Sequence, residues 1–146
     1  MDTRAALLMA LVSAVACGGG TRPPAPVAPA ATAAPAPAIT DRDWELLELG
    51  GYAPPAGRPV TMRFDAGSRR AAGSAGCNRY SIAYAFRGDG LTFGPAAVTK
   101  MACLDGMEIE SSFLAMLPQV TRYELPDANT LVLSGLNGPL ARFRAP

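Results

Sequence analysis

Few residues in this 146-residue chain are equipped for chemistry, and its three cysteines come first. Cys17 ends an apolar N-terminal run and is followed at once by Gly18, Gly19 and Gly20. Cys77 and Cys103 lie far downstream and bound a segment of 27 residues, counting both ends. A thiol attacks only as its thiolate, and the base that usually takes its proton is histidine. The chain has no histidine, which removes that base and the commonest nitrogen ligand for a metal ion. Two cysteines leave a zinc ion two ligands short. Glu45, Glu48, Asp65, Asp89, Glu108 and Glu110 remain for acid–base work. No spacing among them singles out a pair, and they read as solvated strand and helix positions. Gly88 to Gly94 holds glycines but opens no helix, so it is not a phosphate loop. No catalytic residue, metal site or cofactor is expected.

The cysteines say more about compartment than about reaction. Arg4 precedes an apolar, helix-favouring run from Ala5, continued by the small residues of Val12 to Ala16. This pattern reads as a signal peptide over residues 1–16, too short to span a membrane. Ala14-Val15-Ala16-Cys17 resembles the bacterial lipoprotein lipobox, whose cysteine is acylated and becomes the new N-terminus. It departs from that motif at Ala14, where leucine is usual. On this reading Cys17 is a lipidation site, and the protein is anchored in the bacterial cell envelope, facing the periplasm. The alternative is ordinary cleavage after Ala16, which leaves a secreted, soluble protein. Both readings put the remaining cysteines in an oxidising space.

Residues 17–40 form the lipidated N-terminus and an Ala/Pro-rich linker. Pro23, Pro24, Pro26, Pro29, Pro35 and Pro37 block helix and sheet, and nothing bulky is available for a core. Such a segment favours extended polyproline II, and at about 3.1 Å per residue it spans up to roughly 60 Å. The chain's formal net charge of +1 provides no general attraction to nucleic acid or anionic lipid.

The foldable part is residues 41–146. Trp44 to Leu49 is apolar and partly alternating; Val60, Met62 and Phe64 share one strand face, as do Ile82, Tyr84 and Phe86. Gly88-Asp89-Gly90 reads as a hairpin turn before Leu91-Thr92-Phe93. Further strands are expected over Val120–Leu125, Thr130–Leu133 and Leu140–Phe143, with turns at 126–129 and 137–139. One helix interrupts them. Asp105 is its expected N-cap, Glu108 completes a capping box, Ile109, Phe113, Met116 and Leu117 form its apolar stripe, and Pro118 stops it. The pattern predicts a mainly β domain, a small antiparallel barrel or meander with one inserted α-helix.

Several segments also follow one another in a recognisable order: Trp44-x-Leu46, Gly73-Ser74-Ala75-Gly76-Cys77-Asn78-Arg79-Tyr80, Leu91-x-Phe93-Gly94, Thr99-Lys100-Met101-Ala102-Cys103 and Glu110-x-x-Phe113-Leu114. Together they resemble the META domain, or HslJ-like, family of bacterial envelope proteins, over nearly all of residues 41–143. The resemblance implies a small β-barrel-like fold with a helix and a lipoprotein or periplasmic setting. The family is linked loosely to heat stress, antibiotic tolerance or secretion, with no agreed reaction.

Within the motif, Gly73 and Gly76 are expected to make a sharp turn into a strand near Tyr80, Asn78 to hydrogen-bond the local backbone, and Arg79 to pair with a carboxylate or face water. A small-ligand or anion site at the exposed amides of this turn is the alternative. Cys77 and Cys103 are expected to form a disulfide worth roughly 3.5 kcal/mol by loop closure, the alternative being two buried thiols. The partners expected are the membrane, through the N-terminal lipid, and an unknown envelope protein or a small hydrophobic ligand. A cavity lined by Met62, Phe64, Ile82, Phe86 and Phe113 would favour the ligand, and a filled interior would favour scaffolding. An inhibitor of a secreted enzyme would need a rigid exposed loop such as Gly73 to Asn78.

Overall fold

The computed structural model describes residues 38–146. The expected signal peptide, Cys17 and nearly all of the linker lie outside the described residues.

Eight antiparallel strands close into a barrel in simple chain order. They are β1 (Asp43–Leu49), β2 (Thr61–Asp65), β3 (Arg70–Ser74), β4 (Arg79–Arg87), β5 (Gly90–Val98), β6 (Arg122–Asp127), β7 (Thr130–Gly135) and β8 (Gly138–Arg144). Each strand pairs with its sequence neighbour, and β8 returns to β1 with Phe143 opposite Leu46. Helix α1 (Met107–Met116) and a single 3-10 turn (Leu117–Gln119) fill the connection from β5 to β6. Those two strands share one paired position, Gly90 with Arg122. The mainly β class with one inserted helix agrees with the sequence pattern.

Period-two alternation determines which side chains enter the barrel. Met62 and Phe64 of β2, Tyr80, Ile82 and Tyr84 of β4, and Leu131 and Leu133 of β7 are buried. Helix α1 adds Phe113 and Met116, and the following turn adds Leu117. Aromatic rings occupy the interior: Phe64 lies 5.2 Å from Tyr84 and 6.1 Å from Phe93, and Phe113 lies 5.2 Å from Tyr80. Four of the five residues expected to line an internal cavity are at most 1% exposed, and Phe86 packs on Tyr84. An eight-stranded barrel is just wide enough for such a filling.

The structure differs from the sequence reading at two joints. Ile39 and Thr40, assigned to the linker, belong to the domain. Ile39 is fully buried and its carbonyl accepts a hydrogen bond from Trp44 Nε1 at 3.0 Å, while Thr40 bridges to Phe64. Burial of the isoleucine outweighs the proline-rich context. At α1, the N-cap is Gly106 in a left-handed conformation (φ 91°), with no side-chain cap, and Asp105 stays exposed outside the helix. Gly106 lies against the Gly76–Cys77 backbone, so packing rather than capping chemistry sets where the helix begins. Pro118 ends α1 as expected: the α-helix stops at Met116 with Leu117 as its C-cap, and the proline is carried in the 3-10 turn at an initial position, where its missing N–H costs nothing.

Candidate functional site

The motif Gly73 to Tyr80 runs from β3 into β4, and its glycines serve close approach. Gly73 is within β3, paired with Tyr80, rather than in a turn. A Cβ there would stand 2.0 Å from the Thr61 carbonyl oxygen of β2. Gly76 has φ 108°, and a Cβ on it would stand 2.7 Å from Ile109 Cγ2 of α1. One glycine admits a neighbouring strand and the other admits the helix. The expected tight turn is therefore confined to residues 75–78, where Asn78 O accepts from Ala75 N–H at 2.8 Å.

Cys77 is disulfide-bonded to Cys103, with Cα atoms 6.0 Å apart. Asn78 follows, 2% exposed, and its side chain reaches far beyond its own turn. Its Oδ1 accepts from Met101 N–H at 2.8 Å and from the Thr99 hydroxyl at 3.0 Å. Its Nδ2 donates to Met101 O at 3.3 Å and to Glu110 Oε1 at 3.1 Å. Its backbone N–H donates to Glu110 Oε2 at 2.6 Å. Every polar atom of this asparagine is used, as burial requires.

Glu110 is the residue that sequence reasoning placed wrongly. It is 7% exposed rather than solvated. No ion pair reaches it among the described residues; amide donors from Asn78 hold its carboxylate instead. The available signal was its spacing. Glu110, Phe113 and Leu117 fall at i, i+3 and i+7, and the buried face runs through them, leaving Ile109 half-buried at its margin.

These anchors converge on the segment from Thr99 to Gly106, which has no regular structure. It is tied at Thr99 and Met101 by Asn78 and at Cys103 by the disulfide. Around these ties its side chains face outward: Leu104, next to the disulfide, is fully exposed, Met101 is 59% exposed, and Lys100 and Ala102 are also exposed. Beside the loop, a groove of about 470 Å³ runs over Asn78 and Glu110, walled by Val98, Met101, Met107 and Leu114. The loop expected to be exposed, Gly73 to Asn78, is instead largely buried, with Ala75, Gly76 and Asn78 under α1 and the 99–101 segment. Of its expected roles, the amide-lined ligand turn therefore finds no open surface.

The META domain family model matches residues 37–146. The chain belongs to the META domain family. A protein from Burkholderia xenovorans, solved by NMR, is similar at 29% identity and a TM-score of 0.61, covering 86% of this chain and 99% of its own. A second NMR structure, 22% identical with a TM-score of 0.58, covers 73% of this chain and 91% of its own and shares the fold. No curated protein matches the chain.

This META domain therefore keeps its motif residues for assembly, with one exception. Gly73, Gly76, Cys77, Asn78 and Tyr80 each have an internal partner or a close contact; Tyr80 donates its hydroxyl to Thr61 O at 3.0 Å. Arg79 is exposed, and its guanidinium has no partner among the described residues. The described residues hold no group of three metal-ligating side chains, and META domains are not a known enzyme family. A further groove of about 570 Å³ lies outside the barrel, between the β1–β2 connection (Tyr52, Ala53, Pro55) and α1 (Ile109, Met116).

Proposed function

We propose that this META domain is a non-catalytic binding module of the bacterial envelope. It is tethered through lipidated Cys17 and a polyproline II spacer, faces the periplasm, and engages a partner protein through the loop Thr99–Gly106 in a role tied to stress or antibiotic tolerance. The observation that carries this reading is the pairing of exposure with restraint in one segment. Apolar side chains such as Leu104 and Met101 are costly to leave in water, yet the loop that presents them is fixed by a disulfide and by Asn78. A fixed loop loses little conformational entropy on docking, so more of its contact energy appears as affinity.

A photo-crosslinking residue at Leu104, in the full chain expressed in its native envelope, tests the reading. A discrete protein adduct is expected from position 104 and none from Glu124 on β6. Equal labelling from both positions, or none from 104, would reject the loop as the binding surface. A radiolabelled fatty acid should mark the wild type and not Cys17→Ser; an unlabelled wild type would remove the tether.

A second reading is favoured by the groove beside Tyr52, whose Leu49, Ile109, Met116 and Leu140 lining suits a small hydrophobic ligand. With the interior filled, such a ligand would sit on the barrel's outside.

A further inference from the structure

We infer that the outer face of β2, β3 and β4 is a binding site for a phosphate-bearing ligand. Strand register builds it. Arg63, Ala72 and Ser81 lie in one row across the three strands, Arg70 one row away beside Asp65, and Arg79 beside Ser74. Alternation turns Arg63, Arg70 and Arg79 outward. Small residues lie between them, including Ala72, Gly73 and Ser81, so the long side chains rim a trough of about 470 Å³. Gly73 cannot be enlarged without striking Thr61 O, which keeps that part of the floor low.

The three guanidinium groups are available to different degrees. Arg79 has no side-chain partner among the described residues, leaving all five of its N–H donors free. Arg70 donates one N–H, from Nε to Ser81 Oγ at 2.9 Å, which holds its head across the floor and leaves both terminal nitrogens open. Arg63 is paired with Asp43 at 3.4 Å through one nitrogen only. The other local carboxylate, Asp65, is engaged by the hydroxyl and amide of Ser68 in its own turn. Guanidinium donors arriving from three strands match a group with several oxygens around one centre, and arginine binds phosphate in a bidentate way. A carboxylate has only two oxygens and would leave part of the rim unused. The phosphate could be inorganic or belong to an anionic lipid headgroup; the chemistry recognised is the same.

The test uses the full chain as Cys17→Ser, so that no acyl chain contributes, with Arg79→Ala, Arg79→Lys and Arg122→Ala made in it. Inorganic phosphate is titrated at low salt while backbone amide shifts are followed. Flotation with vesicles of phosphatidylglycerol in phosphatidylcholine is compared with phosphatidylcholine alone. Shifts are expected at Arg63, Arg70, Ala72, Arg79 and Ser81. Arg79→Ala should weaken binding about tenfold, as loss of a charge-assisted contact does, and Arg79→Lys should weaken it less. Arg122→Ala, which removes a β6 arginine paired with Glu124, should change nothing. Phosphate binding without flotation identifies the free anion. Flotation that depends on both phosphatidylglycerol and Arg79 identifies the headgroup. Absence of both, undiminished binding by Arg79→Ala, or an equal loss with Arg122→Ala overturns the site. Arg79 is exposed, so an unchanged melting temperature is expected and checks that folding is not the cause.

Discussion

Glu110 holds Asn78 twice: one carboxylate oxygen takes the backbone N–H at 2.6 Å and the other takes the side-chain amide at 3.1 Å. This double contact joins α1 to the start of β4. Asn78 Oδ1 then passes the connection on to the 99–101 segment. Glu110→Ala would leave two buried donors unpaired and should cost about 3 kcal/mol. Glu110→Gln keeps one acceptor but turns an NH2 toward a donor, and should cost about 1–2 kcal/mol. Urea unfolding of the two variants beside the wild type measures both.

The disulfide is expected to contribute roughly 3.5 kcal/mol for a loop of this length. Cys77→Ser with Cys103→Ser should lower the urea midpoint and steepen the slope, because the unfolded chain without the bridge exposes more surface, and should expose the 99–106 loop to proteolysis first. Mass spectrometry of protein isolated without reductant should find both thiols resistant to alkylation. Ready labelling of Cys77 and Cys103 before reduction would contradict the bridge.

Gly73→Ala places a methyl where the Thr61 carbonyl oxygen stands 2.0 Å away. Backbone cannot yield as a flexible side-chain tip does, so a loss of more than about 3 kcal/mol, or no folded product, is expected. Gly94→Ala is the control, since its Cβ would meet nothing closer than 3.8 Å. It should change stability by less than about 1 kcal/mol in a thermal melt.

Much of this fold was legible because alternation and turn residues are local signals. Met62 and Phe64, or Ile82 and Tyr84, announce their inward face by spacing alone. Glu110 gave a weaker signal, its spacing with Phe113 and Leu117, and Asn78 gave none. Their burial depends on three segments meeting, and a polar residue in a helix is ordinarily solvated. Asp105 misled for the same reason. It has the chemistry of a cap, but the helix start is fixed by contact between Gly106 and the Gly76–Cys77 backbone, a distant part of the chain. Ile39 was missed because its neighbours are prolines and alanines, although one buried isoleucine was enough to extend the core.

Burial raises the pKa of the Tyr80 hydroxyl well above the ordinary phenol range. The unfolded phenol ionises near pH 10 while the folded one keeps its proton. The native state then binds more protons, so stability is full below about pH 10 and falls as pH rises beyond it. Tyr80→Phe should flatten this alkaline fall, at a cost of about 1 kcal/mol near neutrality from the lost bond to Thr61 O. Melting temperatures across the alkaline range read the slope.

Two exposed carboxylates act at the acid end. The hydroxyl and then the amide of Ser68 lower Asp65, and chiefly the Asn129 amide lowers Asp127. A depressed native pKa gives stability that is present above the ordinary carboxylate value near pH 4 and is lost as pH falls through the native one. Ser68→Ala should therefore make the acid limb shallower while leaving the alkaline limb as it was. An acid limb of unchanged steepness would show that Asp65 gains nothing from Ser68.

The pairing of β1 with β8, which sets Arg144 Nη2 3.1 Å from Glu45 Oε2 across 99 positions, bears on how copies of this domain coexist when crowded. Apart from the seam between β5 and β6, paired at Gly90 and Arg122 alone, the ring of strands offers no loose backbone edge for another molecule to extend. A chain cut before Gly138 would offer two edges at once, along β1 and β7. The last strand thus acts as a latch against self-recruitment, and a shortened chain is expected to be sticky before it is merely unstable.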